Sequence, residues 1–217
     1  MLLTSLTRKE YKMKIFEIKR ATSYSTKYAD FQIADNSTWI SEPLFANQYE
    51  NKHNVPIPYY TLNKYAPTDF PFSDTFLVSE KFLKVIKCLN QDFEALESFV
   101  FYKGKNLKAY CEQTGNNDGR IWGVFYTMIF PQFKLFNWEE SVYTPEISKF
   151  SGEKIVTDLE KLILDKKLIE ENYNSISKNN IFVLDEESIL LLCTETAKQA
   201  IEEAGLTGIA FEEVEVM

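Results

Sequence analysis

Apolar and polar residues alternate over KIFEIKR (14–20), broken only where Ile15 adjoins Phe16, and this two-residue period predicts a first strand. A second pattern opens at the apolar TFLV (75–78). Ser79 follows as a helix N-cap and Glu80 as a favourable first-turn charge, and KFLKVIKCL then places Phe82, Leu83, Ile86 and Leu89 at helical spacing. SFVFYKG (98–104) and IWGVFYTMIF (121–130) read as strands, with GNNDG (115–119) as a turn cluster between them. DLEKLILD (158–165) fits either a strand or a helix, and its β-rich surroundings favour the strand. IFVLD (181–185) and ILLLC (189–193) read as strands joined by the polar Glu186-Glu187-Ser188.

The C-terminal end repeats the earlier unit. LLLC leads to Thr194 as N-cap, Glu195 at the first helical position, and then TAKQAIEEAG. Setting Val78-Ser79-Glu80 on Cys193-Thr194-Glu195 also sets Ile86 on Ile201. The closing GLTGIAFEEV has a mechanical reading. Gly205 can take the left-handed conformation that ends a helix, Leu206 can then pack back on Ile201, and Gly208 permits a second tight turn before a last strand.

Five of the seven prolines lie between Pro43 and Pro71, which predicts irregular or extended chain there, and the interleaved tyrosines and phenylalanines mark it as packed covering rather than linker. No domain boundary is legible in it. The length suits one domain or two tightly joined lobes. Seven glycines and seven prolines exclude a disordered or collagen-like chain, while 15% aromatic content can fill a large core or furnish a binding face.

Charge is uneven. The net is −8, yet residues 150–217 hold six lysines against fifteen Asp and Glu, so the excess sits in the last third. That argues against non-specific nucleic-acid binding, which needs cations to displace phosphate counterions, and it suits a basic protein partner or simple solubility. Cys88, Cys111 and Cys193 have no metal or redox spacing and read as free thiols, mostly buried, in a reducing compartment. The N-terminal apolar run is too short for a signal peptide, and no window is long enough to cross a membrane. Residues 1–12 read as a possible extension before MKIFEIK, and a cytoplasmic location is expected.

The inventory of chemistry is thin. His53 is the only histidine, so multi-histidine metal sites are excluded, and any Ser or Cys nucleophile would depend on that one base. No phosphate loop or calcium loop is present, and no metal or cofactor is expected. Two acidic clusters remain, Glu139-Glu140 after Trp138 and Asp185-Glu186-Glu187. Paired carboxylates can do acid–base work when burial separates their proton affinities, but in polar turns they are usually solvated or meet a basic partner.

Taken in order, several motifs resemble the immunity proteins of bacterial polymorphic toxin systems, specifically family eleven, formerly a domain of unknown function. They are Thr68-Asp69-Phe70, FLVSEKFLKVI with Ser79 and Glu80 at its helix start, the aromatic strand with Tyr126, NWEESVY with Ser141, LILD, IFVLD, and TETAKQAIEEAGLTGIAF. The resemblance covers about residues 65–217. One departure is an Asp that the family usually carries where Asn137 or Trp138 stands here. The resemblance implies a cytosolic, non-enzymatic inhibitor that blocks its toxin stoichiometrically, with scaffold better kept than contact surface. The alternatives are a protein-interaction or regulatory module not paired with a toxin and, less favoured, a carboxylate-based hydrolase. Partner contacts are expected at Trp138, Glu139, Glu140, Asp185, Glu186 and Glu187. The structural signature is expected at Ser79, Glu80, Thr194, Glu195, Gly205, Leu206 and Gly208.

The expected fold is α+β, with mixed or antiparallel sheets, a few helices, and two sublobes (13–111 and 112–217) built around the repeated strand–cap–helix unit.

Overall fold

A computed structural model of the chain describes residues 13–21, 30–33, 57–61, 68–73, 75–102, 120–147 and 154–217, with residues 108, 112, 115 and 152. His53, Cys111 and the expected extension 1–12 lie outside these residues. The architecture is α+β, with mixed and antiparallel sheets and four helices among the described residues.

One sheet has the order β14-β1-β13-β12-β8. It is built from β1 (Ile15–Arg20), β8 (Gln132–Phe133), β12 (Ile181–Leu184), β13 (Glu187–Thr194) and β14 (Ile209–Glu213). Its apolar residues run almost continuously because both faces are covered. Along β12 and β13, Ile181, Val183, Leu191 and Cys193 enter one core, while Phe182, Leu184 and Leu192 enter a second. The adjacent pair Ile15 and Phe16 breaks the alternation for the same reason, one side chain serving each core.

The other large sheet has the order β4-β2-β3-β6-β7-β5. Its strands are β2 (Asp30–Ile33), β3 (Ile57–Thr61), β4 (Phe72–Ser73), β5 (Leu77–Ser79), β6 (Glu94–Tyr102) and β7 (Arg120–Ile129). The proline-rich stretch therefore contributes an extended strand, β3, parallel to β6. Its Tyr59 is fully buried and shares hydrogen bonds with Thr75 Oγ1 (2.6 Å) and Thr127 Oγ1 (2.8 Å), which in turn meets Ser98 Oγ. Because β6 and β7 pair directly and β1 belongs to the other sheet, a division at 111/112 would separate strands that are hydrogen-bonded neighbours.

The repeated unit extends further than the sequence match alone. Helix α1 (Glu80–Cys88) and helix α4 (Glu195–Glu203) are each nine residues long. Val78, Phe82 and Ile86 correspond in order to Cys193, Ala197 and Ile201, all buried in the first core. Each helix ends on a left-handed residue, Asn90 (φ 52°) and Gly205 (φ 60°). At each N-cap the backbone amide donates to the carbonyl of an upstream Asx residue, Ser79 to Asp69 and Thr194 to Asn180, both at 2.9 Å. The cap hydroxyls donate to the same residues' side chains, at 2.6 Å to Asp69 Oδ1 and 2.7 Å to Asn180 Oδ1.

The strand before each helix and the strand after it flank one antiparallel strand, giving β5-β7-β6 in one unit and β13-β1-β14 in the other. The units also cross-link reciprocally. Thr207, after α4, donates its amide to Asp69 Oδ2 (2.8 Å), and Asp92, after α1, donates its amide to Asn179 Oδ1 (3.0 Å). Gln91 adds a buried two-way bond to the backbone of Ile181. These relations have the pattern of an approximate two-fold.

Four expectations need correction. Thr194 occupies the N-cap position in extended backbone, but its side chain makes no capping bond, whereas Ser79 Oγ accepts from Phe82 N at 3.1 Å. Thr194 Oγ1 instead makes its one hydrogen bond among the described residues by donating to Asn180 Oδ1. The strand favoured over a helix for residues 158–165 forms, but in two pieces and short of its end: β10 (Lys154–Lys161) stops, β11 (Ile163–Leu164) follows, and Asp165 caps α2 (Lys166–Glu171) by accepting from Lys167 N and Leu168 N. Glu187 lies within β13 rather than in the connecting turn, which is Asp185-Glu186. Cys88 is exposed, while Cys193 is buried and burial pushes its thiol far up.

Gly205 behaves as its position predicts. Its amide donates to Glu202 O (3.0 Å) and that of Leu206 to Ile201 O (3.4 Å), the paired bonds of a Schellman ending, with Leu206 against the first core.

Candidate functional site

The second core carries both acidic motifs. It is closed by Leu135, Phe136, Val156, Ile169 of α2 and Ile176 of α3 (Tyr173–Lys178). Residues 131–141 run beside the turn between β12 and β13. Val183 N donates to Pro131 O (2.9 Å) and Asp185 N to Phe133 O (3.0 Å), while Val156 N of β10 donates to Glu186 O (3.3 Å). The structure thus brings Trp138-Glu139-Glu140 and Asp185-Glu186-Glu187 to the margin of one core.

Asn137 organises the first motif. Its Oδ1 accepts from the amides of Glu139 and Glu140, both at 3.2 Å, and its carbonyl accepts from Ser141 N. Ser141 is buried, and its Oγ exchanges two bonds with the backbone of Ile163. This fixes a tight turn that holds Glu139 and Glu140 out in solvent and turns Trp138 inward. Trp138 is half-buried and packs edge-on with Phe136 (4.7 Å) and Tyr143 (5.4 Å). Lys154 Nζ lies 4.3 Å from the Trp138 ring centre and donates to Tyr143 Oη at 2.8 Å, so the chain's own cation covers the indole.

The second motif is mixed in character. Asp185 is half-buried and pairs with Lys134 at 3.5 Å. Of Glu187 only the backbone is described. Glu186 is largely enclosed, and its Oε2 has no hydrogen-bond partner among the described residues. Burial raises its proton affinity above that of an ordinary glutamate. The backbone amides of Glu186, Phe136 and Leu135 oppose the rise, and Asp185 adds to it.

A raised carboxyl pKa means that the folded state binds more protons than the unfolded one between the two pKa values. Stability therefore falls as pH rises through that window, and the charged form is a net cost at neutrality. Glu186→Gln is expected to be at least as stable as the parent at neutral pH, and to lose that advantage near the unfolded carboxyl pKa. Urea midpoints at the two pH values check this, and a larger loss at neutrality than in acid would reverse the sign. Glu17, also raised chiefly by burial, contributes a slope of the same sign in both chains.

The surface beside these motifs is a two-stranded antiparallel ribbon of β9 (Val142–Ile147) and β10. Glu139, Glu140, Glu146, Asp158 and Glu160 are exposed on or next to it, and no ion pair ties them to another described residue. Its lysines are committed elsewhere, Lys154 to Trp138 and Tyr143, and Lys161 to Glu215 (2.8 Å). Val142 and Ile147 are 47% and 60% exposed. Among the described residues, no group of His, Cys, Asp and Glu side chains could hold a metal ion, and no helix is long and apolar enough to cross a membrane.

The sequence reading missed Tyr143 and Lys154, which belong to the Trp138 cluster. The alternation of Tyr143 with exposed neighbours was the available signal, but Lys154 sits in a polar stretch that names no partner. No protein-family model matches this chain, and no curated protein matches it.

Proposed function

We propose that the chain is an immunity protein that neutralises a bacterial toxin by direct, stoichiometric binding. The observation that carries this reading is a division of labour among its residues. Motifs that resemble family eleven are committed to internal structure. Ser79 holds α1 to Asp69, Gly205 and Leu206 end α4, Gly208 packs on Thr68, and Ser141 locks the 137–141 turn to Ile163. The acidic residues of the ribbon are exposed and have no ion-pair partner among the described residues. A scaffold kept for folding, with a charged face left over for a partner, is what such an inhibitor requires.

Asn137 fits the same view. The family usually carries an Asp where Asn137 or Trp138 stands here; if Asn137 is that position, its Oδ1 accepts two backbone amides, work that a carboxylate oxygen would do equally well. The exposed carboxylates favour a basic partner, since complementary charge speeds encounter and rejects acidic competitors.

Expressing the chain with the products of its neighbouring open reading frames tests the proposal. The expected result is co-elution, at about one to one, of a protein that arrests growth when made alone and is silenced by this chain. A stoichiometric partner without toxicity would assign the regulatory reading instead. Absence of both partner and rescue would overturn the proposal.

A further inference from the structure

We propose that the Trp138–Tyr143 ring pair receives a cationic side chain of the partner, which enters by displacing Lys154. The partner's identity rests on the function proposed above; the exchange of one cation for another does not.

Phe136, Trp138 and Tyr143 stand edge to face, with ring centres 4.7, 5.1 and 5.4 Å apart. Phe136 is buried in the second core, whereas Trp138 and Tyr143 are half-buried and reach the surface. An ammonium group already sits on the pair. Lys154 Nζ lies 4.3 Å from the Trp138 ring centre and 5.1 Å from that of Tyr143. It donates to Tyr143 Oη, which donates on to Trp138 O at 3.2 Å. The electron-rich face of an aromatic ring attracts a cation, so the internal lysine marks the chemistry that this surface accepts.

Lys154 holds the position weakly. It is exposed, and no carboxylate pairs with it among the described residues. A cation–π contact in water favours the seated side chain only about two- to fivefold, and the same contact sealed from water is stronger by roughly another fivefold. A cation delivered by a docking protein gains the sealed contact, while the displaced ammonium returns to solvent on its flexible stem. Charge selects the occupant. Glu139 and Glu140 directly follow Trp138, are exposed, and have no ion pair among the described residues, so an incoming cation meets carboxylates that Lys154 does not use. An apolar side chain in the same place would strand those charges at a dry interface. Tryptophan is also the residue type that most often anchors a protein interface.

The probe is a short peptide, blocked at both ends, with one lysine among glycines, and its counterpart carries norleucine instead. The full chain is titrated with each while the Trp138 indole N–H and the Tyr143 ring are followed by NMR. The lysine peptide is expected to shift both signals, the norleucine peptide neither, and salt should weaken the response. Lys154→Met removes the competing cation and keeps an apolar stem at an exposed position, and it should tighten binding of the lysine peptide roughly fivefold. Glu139→Gln with Glu140→Gln should weaken it roughly threefold. The control pair on α4, Glu202→Gln with Glu203→Gln, should leave it unchanged. A lysine that only braces the ribbon predicts no gain on its removal. Equal affinity in the parent and Lys154→Met chains, or an equal response to the norleucine peptide, overturns the exchange whatever the co-expression experiment returns. Failure of co-expression overturns the immunity role whatever the peptide does.

Discussion

A Gly208→Ala chain is expected to lose about 3 kcal/mol of stability, a large fraction of the margin by which a typical domain stays folded. Two costs combine. Gly208 sits at φ +80°, where a side chain crowds the following carbonyl, which costs about 1–2 kcal/mol. A Cβ there would also overlap the Oγ1 and Cβ of Thr68, with Cγ2 at 2.9 Å. Thr68 is buried and cannot swing into solvent, so displacing it adds overpacking of about 1–3 kcal/mol. The same turn donates Thr207 N to Asp69 and accepts at Gly208 O from Ala21 N, so a shift would loosen three segments together.

Gly205→Ala supplies the comparison, for its φ of +60° is similar but a Cβ would meet nothing within 4 Å. It should cost only the backbone term, about 1 kcal/mol. Urea unfolding of both variants separates the two contributions. Equal losses would show that contact with Thr68 has no weight, and a Gly208→Ala, Thr68→Gly chain should recover most of the excess.

The second large effect lies in the first core. Phe82→Ala is expected to cost about 3–5 kcal/mol, because the ring is fully buried and its removal leaves a cavity that the surrounding elements cannot close. Phe82 lies 6.0 Å from Phe70 between ring centres, in a core that draws on both large sheets and on α1 and α4. The equivalent position on α4 is Ala197, so the two related helices present one large and one small residue to the space they share. Since that core is common, Phe82→Ala should shift one cooperative transition, with fluorescence and far-UV dichroism coincident. Two separated transitions would mean that the sheets unfold independently.

Much of the fold was legible where period and punctuation agreed. The start of α1 could be placed because Ser79 and Glu80 precede a clear helical stripe, and the end of α4 because Gly205 allows one kind of stop. Helices α2 and α3 escaped because each is only six residues long and buries a single isoleucine as its main anchor, too little to show a period. The burial of both faces of β12 and β13 hid which side chain serves which core. Of the candidate site, the acids could be read as exposed turns. That Trp138 lies beneath Lys154, and that Glu186 is enclosed while Glu139 and Glu140 are not, depends on contacts between distant segments, which a linear pattern does not encode.

The two related units are wired differently along the chain. In one, β7 returns beside β6 from the same stretch of sequence, so its ladder can form once residues up to 129 exist. In the other, the corresponding middle strand is β1, which pairs Phe16 with Cys193 and Ile18 with Phe211. Long-range pairing of that kind carries a large loop-closure entropy and slows assembly. During synthesis β1 therefore emerges with its apolar residues and has no sheet to enter until β13 and β14 follow. A polypeptide interrupted anywhere between the two units keeps a nearly complete first unit beside an orphaned, aggregation-prone strand.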